Sequence, residues 1–463
     1  MIAKSARPRA GAAREAPRTA VDPVDHVARV NRGRVPLLLA RKFEAMAGDP
    51  FVFLRATAGL GHRAVDLAAL PRVPVGWICG DLHLQNFGSF RGVNRLVYFD
   101  LNDFDEAARL PVCLDLLRLM GSLITAAPGI GLDRQAALTL ARRCLRAYGQ
   151  ALARGKAFWL ERETASGPVR ALLRQTEGRK RKDLLAARTR VSAGVRQIAV
   201  DGQRYLAVGP RAAVRRHIAA ALEHLGARHA DPRFFEARDI AFRVAGMGSL
   251  GLQRYVALVC GKGDPGRNAL VDFKQAAPSA AAGAFPGILQ PQWSDEAQRV
   301  AAIQDMCQAA SPAYLCAMTL GKMPVIVREL QPVEDKMALA PLARHVEQLD
   351  ETLEAMGRLA AYAQLRSAGR HGAAGADELI DYGRRLLTRQ APWIDAARAV
   401  AAANERAFEI FRGAWHGRDA RLTGLAEGAE SPAPPAGASA KPQSPGKAHS
   451  RPAVRAAQVQ SAR

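Results

Sequence analysis

The sequence predicts an α+β protein, and three observations carry that prediction. Apolar residues recur at helical spacing in segments 111–127 and 134–152. The chain from 242 to 329 changes character and reads as strands joined by glycine-rich turns, then a helix, then a further strand. Helical spacing returns from about 341 to 412. This pattern indicates a mixed α+β fold with a β-rich block late in the chain.

The size and composition favour a cytoplasmic protein. The 463 residues are 49% hydrophobic, which is enough for the cores of two or three domains. No run reaches the roughly 18 to 20 apolar residues of a membrane helix, and no stretch near the start resembles a signal peptide. The six cysteines are scattered without a Cys-x-x-Cys pair, so we expect reduced thiols instead of disulfides or a zinc site.

The net charge of +23 raises the question of a nucleic-acid partner, because basic side chains neutralise phosphates. Of the 66 basic residues only 11 are lysine, in a chain crowded with alanine and glycine, which is typical of a compositional bias toward arginine. Aromatic residues make up only 6% of the chain and offer little for base stacking. We therefore expect nothing beyond non-specific attraction to nucleic acid, and a solvated helical face for the densest basic run, 179–182.

Both ends of the chain have the composition of disordered segments. Residues 1–22 are rich in Ala, Arg and Pro, and residues 424–463 are rich in Ala, Pro, Ser and Gly. Neither end has apolar periodicity that could form a core. We expect both to be disordered, basic tails on a folded body.

The first candidate site is the stretch CGDLHLQN, residues 79–86, which is followed by a short strand ending in RLVYFD. An Asp, an Asn shortly after it and a second Asp at the end of the next strand form a recurring phosphoryl-transfer arrangement. We predict that Asp81 deprotonates an acceptor hydroxyl and that Asn86 and Asp100 hold Mg²⁺, which prefers hard oxygen ligands. The alternative is a polar loop whose side chains cap helices and turns.

Three more carboxylates follow in DLNDFDEA, namely Asp103, Asp105 and Glu106. They are more than a kinase site requires. They bind a second metal or a cationic substrate, or they are simply exposed. Asp103 is the best of the three as a further metal ligand.

The second candidate site is the glycine-rich segment GMGSLG, in which Gly246, Gly248, Ser249 and Gly251 are candidate phosphate-binding residues. A dinucleotide fold requires a helix after such a loop, but here strand-like segments 253–260 and 269–275 follow. Strand, glycine loop, strand, turn and strand is the order of a kinase glycine-rich loop. In this interpretation Lys274 pairs with nucleotide phosphates, Glu296 in helix 294–310 pairs with Lys274, and strand 324–329 forms the hinge. An ordinary β-hairpin is the alternative.

GDLHLQN resembles the catalytic segment of aminoglycoside phosphotransferases and choline kinases, with Cys79 in place of the usual first His. By the same resemblance Asp115 braces the catalytic loop. In ordinary kinases the glycine loop precedes the catalytic Asp, whereas here it follows. Either the domain is circularly permuted or one of the two matches is spurious.

Several segments together resemble the bacterial family catalogued as domain of unknown function 2252, over roughly residues 30 to 415. They are GDLHLQNFG, FDLNDFDEA, DLLRL, RVAGMGSLGLQRY, VDFKQA and VIVREL.

Together the two resemblances imply a two-lobed, protein-kinase-like fold that is circularly permuted. The large lobe with the catalytic loop then covers 23–240, the β-rich small lobe covers 241–335, and a helical return to the large lobe covers 336–423.

The function expected from these residues is ATP- and Mg²⁺-dependent phosphoryl transfer to a small-molecule acceptor. The carboxylates near 103–106 would favour a cationic acceptor. Two alternatives keep the same fold: a nucleotide-binding pseudokinase without turnover, and an adenylyl transferase. A charge-driven nucleic-acid-associated protein is a third, and it predicts DNA affinity that falls steeply with salt.

Overall fold

The structure is a computed structural model that describes residues 21–428 except 211 and 264. The predictions made for residues 1–20 and 429–463 lie outside the described residues. The last described helix ends at residue 427, slightly beyond the predicted start of the tail at 424.

The chain begins with four helices: α1 (Pro23–Val30), α2 (Pro36–Gly48), α3 (Pro50–Ala56) and α4 (Ala58–Arg63). Proline at the first turn of α1 to α3 fits a position where no amide donor is needed. Asp22 and Asp49 cap α1 and α3 by accepting backbone N–H bonds.

Four short strands follow and carry the first candidate site: β1 (Val75–Ile78), β2 (Phe87–Arg91), β3 (Val97–Leu101) and β4 (Ala108–Pro111). Strands β2 and β3 form an antiparallel hairpin in which Asp100 lies opposite Gly88. Strand β1 pairs antiparallel with β4. The predicted strand therefore exists, although it starts at Val97, after a turn.

The chain then forms helices α5 (Cys113–Ala126), α6 (Arg134–Arg154), α7 (Gly167–Glu177) and α8 (Arg181–Arg188). The first two match the predicted helical segments. Asp133 caps α6 by accepting from the amide of Ala136, and Gly155 ends the helix in the left-handed region.

The β-rich part of the chain follows, with three α-helices between its strands. Its elements are β5 (Thr189–Ser192), β6 (Val195–Ile198), β7 (Tyr205–Ala207), α9 (Ala213–Gly226), β8 (Ala237–Arg243), β9 (Arg254–Val259), β10 (Ala269–Gln275), α10 (Ala280–Gly283), α11 (Glu296–Cys307), β11 (Cys316–Leu320), β12 (Met323–Glu329) and β13 (Asp335–Lys336).

Six of these strands form one antiparallel sheet in the order β11-β12-β10-β9-β8-β7. The glycine-rich segment joins β8 to β9. Strand β7 and most of β8 lie before residue 241, so the sheet includes residues on both sides of the predicted start of the small lobe. Ile218 and Leu222 of α9 pack with Phe242 and Phe273 of the sheet in one apolar cluster. Strand β13 pairs antiparallel with β2 and so connects the chain that follows the six-stranded sheet to the β2–β3 hairpin.

The chain ends in helices α12 (Leu339–Ala343), α13 (Val346–Arg366), α14 (Ala376–Thr388), α15 (Ala391–His416) and α16 (Ala420–Glu427). Helix α13 packs on α6 and α15 packs on α5, so the last described helices complete the helical body beside β1 and β3. The two ends of the described chain meet, because Arg421 forms ion pairs with Asp22 and Asp25 at 2.9 Å and 2.8 Å.

The architecture confirms a mixed α+β protein. All six cysteines are free and five of them are buried, as expected for reduced thiols. Within the described part of the chain, no helix has the length and apolar character needed to cross a membrane.

Candidate functional site

Two chambers lie between the six-stranded sheet and the loops that follow β1 and β3. The first chamber has a volume of about 580 Å³ and is lined by Arg243, Gly246, Asp272, Lys274, Arg328 and Lys336, among others. The second chamber has a volume of about 510 Å³ and is lined by Arg29, Arg32, Arg55, Asp81, Glu106 and Gly248, among others. Asp103, Asp105 and Ser249 line both chambers. Residues from both candidate motifs therefore surround one bipartite cleft.

Lys274 connects the sheet to the loop that follows β3. It lies on β10, and its Nζ is 3.2 Å from Oδ1 of Asp103 and 2.6 Å from Oδ2 of Asp105. Strand side chains alternate between faces, so Lys274 and Asp272 lie on the same face of β10. Asp272 is bound by Arg254 at 2.5 Å and by Arg243 at 2.7 Å, and these arginines hold its pKa far below the usual range although burial opposes them. The floor of the first chamber is thus a network of paired charges.

Asp103 and Asp105 share the single ammonium of Lys274. Burial raises the pKa of Asp103, but the Lys274 ammonium outweighs it and leaves that pKa far below the usual range. The pKa of Asp105 is raised by burial and by the neighbouring Asp103 carboxylate. Two carboxylates facing one cation leave room for a second positive charge. Because Mg²⁺ commonly takes one or two protein carboxylates and completes its shell with water and phosphate oxygens, these two residues fit a Mg²⁺–nucleotide complex.

The side chain of Asn86 is engaged in hydrogen bonds within the loop that follows β1. Its Nδ2 donates to the carbonyl oxygens of Asp81 at 3.0 Å and Asp103 at 3.1 Å, and its Oδ1 accepts from the amide of Asp103 at 2.7 Å. The amide therefore fixes the loop that carries Asp81 to the loop that carries Asp103. It lines the first chamber but has little remaining capacity for a metal.

Asp100 does not line either chamber. Its carboxylate is buried and accepts from Arg366 at 3.0 Å and from the amide of Ala309 at 3.1 Å. Burial raises its pKa, and Arg366 counteracts part of that effect. The structure therefore does not bring the three expected metal ligands together, since Asp100 lies on a strand face turned toward α13. Within the described residues, no group of three or more His, Cys, Asp or Glu side chains is arranged to hold a metal ion.

The loop before Asp81 is held in place by Asp115 at the start of α5. The Asp115 carboxylate accepts from the amides of Cys79 at 2.9 Å and Gly80 at 3.0 Å, which is the bracing role expected of it. Gly80 has a φ of +79°, and a Cβ there would lie 2.0 Å from the carbonyl oxygen of Glu106. Only glycine fits this turn.

Asp81 itself faces the second chamber. Its Oδ1 accepts from Nε of Arg118 at 2.6 Å, and Oδ2 lies 3.7 Å from Nε2 of His83. Burial raises the pKa of Asp81 to about 7, although Arg118 acts to lower it. A carboxylate with a pKa near neutrality, held by one arginine beside an open chamber, is suited to accept a proton.

The glycine-rich segment passes over both chambers. Gly246 and Ser249 line the first, and Gly248 and Ser249 line the second. Gly246 and Gly251 have φ values of +81° and +91°, which other residues rarely adopt. The carbonyl of Gly248 accepts from Nζ of Lys42 at 2.8 Å, and Lys42 is completely buried on α2. The N-terminal helices thus anchor the loop, a role that sequence reasoning did not foresee.

Glu296 does not form the expected ion pair with Lys274. Within the described chain Glu296 pairs with Arg299 at 2.5 Å, one helical turn further along α11. The Arg299 guanidinium in turn donates to the carbonyls of Ala107 at 2.6 Å and Asp105 at 2.8 Å. Helix α11 therefore positions the segment that carries Asp105 through an arginine, and Lys274 obtains its negative partners from that segment.

The basic run 179–182 is not simply a solvated face. Arg179 pairs with Asp335 at 2.6 Å, and Arg181 pairs with Glu329 at 2.6 Å. Arg179 also lines the first chamber. Sequence reasoning missed these contacts because the partners lie on β12 and β13, far along the chain, and a charge run by itself does not identify them.

By fold and site the chain is an α+β protein whose charged cleft lies between an antiparallel sheet and a helical body. It belongs to the family described as uncharacterized protein conserved in bacteria (DUF2252), whose model matches residues 34–414. The family resemblance predicted from the sequence is thereby confirmed. No curated protein and no solved structure matches the chain.

Proposed function

We propose that this protein is an ATP- and Mg²⁺-dependent phosphotransferase of kinase-like architecture that acts on a small-molecule acceptor. One observation carries the proposal: Lys274 meets Asp103 and Asp105 in a chamber bordered by the glycine-rich loop, and Asp81 lies in the adjoining chamber. Phosphoryl transfer requires a glycine loop between two strands, a lysine on the strand that follows them, metal-binding carboxylates and a catalytic Asp.

The order of elements supports the kinase-like interpretation. The chain runs from β8 through the glycine loop to β9, and then through a turn to β10. Helix α11 comes later and is followed by β11 and β12, and all these strands lie in one antiparallel sheet. The catalytic loop precedes them in the chain yet shares the cleft with them. The meeting of the described ends at Arg421 and Asp22 is compatible with circular permutation, because contacts and not chain order define a site.

The charged residues of the first chamber suit a nucleoside triphosphate with Mg²⁺. ATP supplies the phosphoryl group and Mg²⁺ screens the charge on its phosphates. Asp103 and Asp105 are the residues that would hold the metal, and Lys274, Arg328 and Lys336 are cations placed along the same chamber. Amides of Gly246–Gly251 would contribute neutral donors to phosphate oxygens.

Asp81 is the base in this proposal. It is separated from Lys274 by Asp103 and Asp105, which line both chambers, so it faces an acceptor and not the nucleotide. Arg118 fixes its orientation. The acceptor hydroxyl loses its proton to Asp81 while its oxygen forms a bond to the terminal phosphorus of ATP. The bond from that phosphorus to the β–γ bridging oxygen breaks, and ADP leaves.

The experiment is a nucleotide titration followed by product analysis. Calorimetry with ATP, with and without Mg²⁺, should show saturable binding that depends on Lys274. Phosphorus NMR of reactions with pooled metabolites should show ADP as the by-product. AMP with pyrophosphate would indicate adenylyl transfer on the same site, and binding without turnover would indicate the pseudokinase. Absence of ATP binding by the intact protein would overturn the proposal.

A further inference from the structure

The second chamber is rich in arginine side chains. Arg29, Arg32 and Arg55 all line it, and within the described chain none of the three takes part in an ion pair. Arg29 and Arg32 are exposed, and Arg55 is partly buried against the ring of Phe51. The Nε of Arg55 is shielded from solvent and has no hydrogen-bond partner among the described residues. Apart from the contact of Arg29 with His26, these guanidinium groups form no hydrogen bond within the described chain, so their donors are available to a ligand.

The carboxylates of the same chamber are already engaged. Asp81 is bound by Arg118, and Asp103 and Asp105 by Lys274, and neither cation lines the second chamber. Glu106 accepts from the amide of Ala281 at 3.0 Å. Arg118 and Lys274 therefore offset two of the four carboxylate charges from outside the chamber, whereas among the described residues Arg29, Arg32 and Arg55 form no ion pair and Arg34 lines the chamber as well. The excess charge that a ligand meets there is positive.

His26 provides an independent observation. It lines the chamber, is only 2% exposed, and its Nδ1 lies 3.1 Å from Nη2 of Arg29. A guanidinium can only donate, so Nδ1 accepts and the neutral ring carries its proton on Nε2. That Nε2 is buried and has no hydrogen-bond partner among the described residues. A buried donor without an acceptor is costly, and a ligand oxygen would remove the cost.

We propose that the second chamber binds an acceptor with an anionic group, a phosphate or a carboxylate, next to the hydroxyl that receives the phosphoryl group. Arg29, Arg32 and Arg55 bind the anionic group and His26 donates to it, while Asp81 faces the hydroxyl. The inference rests on the proposed phosphotransferase function. It replaces the cationic acceptor that the sequence suggested, because the arginines lining the second chamber outnumber the carboxylate charges left after pairing with Arg118 and Lys274.

The first test measures anion binding without turnover. The intact protein is saturated with Mg²⁺ and a non-hydrolysable ATP analogue, and inorganic phosphate is then titrated by calorimetry. We expect one saturable phosphate site whose dissociation constant rises about tenfold or more in Arg55→Gln and in the double variant Arg29→Gln/Arg32→Gln, since a charge-assisted hydrogen bond is lost. Arg29 and Arg32 are exposed, so the double variant should fold. Arg41→Gln, an exposed arginine on α2 that lines neither chamber, is the matched control.

The second test compares acceptors in matched sets. Glycerol with glycerol 3-phosphate, glucose with glucose 6-phosphate, and choline as a cationic compound are offered with ATP and Mg²⁺. We expect ATP consumption to rise about tenfold more with the phosphorylated member of a pair, and the arginine variants to raise KM for that acceptor while KM for ATP stays within twofold.

The outcomes separate the two proposals. If the nucleotide binds but phosphate does not, or if the arginine variants bind phosphate like the wild type, the anionic acceptor is overturned and the phosphotransferase stands. A preference for choline or for the neutral compounds would likewise overturn the anionic acceptor, and the phosphotransferase would stand. If no nucleotide binds, yet phosphate binding depends on Arg55, the phosphotransferase is overturned and an anion site remains.

Discussion

Lys274 and Asp103 are 171 residues apart in the chain, yet their side chains form an ion pair at 3.2 Å. The pair joins strand β10 of the central sheet to the loop that follows the β2–β3 hairpin. Through this contact, residues of the two separate sequence motifs meet in one cleft.

Replacing Lys274 should affect ATP binding or turnover without affecting folding. In Lys274→Met the phosphates lose an ammonium, so we expect ATP affinity or turnover to fall by about 100-fold. Lys322→Met, at an exposed turn of the same sheet between β11 and β12, should leave both unchanged. Calorimetry and steady-state kinetics measure the two effects. Unaltered ATP binding in Lys274→Met would remove the lysine from the nucleotide site.

Asp81 should give the reaction its dependence on pH. Because burial raises its pKa to about 7, kcat/KM should rise with pH through about 7 as the carboxylate loses its proton. Asp81→Asn should abolish transfer and change ATP affinity little, since Asp81 faces the second chamber. A pH–rate profile without an ionisation near 7, in a folded and active wild type, would contradict the assignment.

The same ionisation should appear in the stability of the protein. The folded pKa of Asp81 lies above the ordinary value of 3.8, so folding favours the protonated form. Its contribution to the free energy of unfolding is full below about 4 and is lost as the pH rises to about 7. Asp81→Asn removes that dependence. Denaturant titrations of both proteins between pH 4 and 8 should therefore show a difference that grows with pH in this window.

Asp100 and Asp103 form a matched pair of variants with opposite expected effects. Asp100→Asn weakens a buried ion pair with Arg366, so we expect a loss of about 3 kcal/mol in stability with little change in the Mg²⁺ requirement. Asp103→Asn changes a half-exposed carboxylate, so stability should change little while the Mg²⁺ concentration for half-maximal activity rises. Thermal unfolding and Mg²⁺ titrations measure both. The reverse result would restore Asp100 as the metal ligand.

Lys42 should control the order of the glycine-rich loop. Lys42→Met keeps most of the side-chain volume but removes the hydrogen bond to the carbonyl of Gly248 at 2.8 Å and the one to Asn31 at 2.9 Å. We expect faster amide exchange in 246–251 and ATP binding weakened about tenfold. Arg41→Met, the exposed neighbour on α2, is the control. Unchanged exchange in the loop would show that other contacts hold it.

The sequence determined the local parts of the site. The strand that ends near Asp100 and strand 269–275 follow from local patterns of apolar and β-favouring residues, and the structure has both close to where they were expected. The spacing of Asp81, Asn86 and the carboxylates after β3 also singled out loops that the structure places at one cleft. Helical periodicity gave α5, α6 and α13 for the same reason, since each depends on neighbours three or four residues away.

Only the tertiary structure decided which side chains enter the cleft. Asp100 and Asp103 are close in the chain, but the first lies on a strand face packed against Arg366 and the second in a loop that reaches Lys274. Glu296 turned to Arg299, and the N-terminal helices supplied Lys42, Arg55 and His26. These contacts join residues far apart in sequence, and their formation depends on how the sheet packs against the helical body. Local patterns fix which residues are available, whereas packing fixes the direction in which each one points.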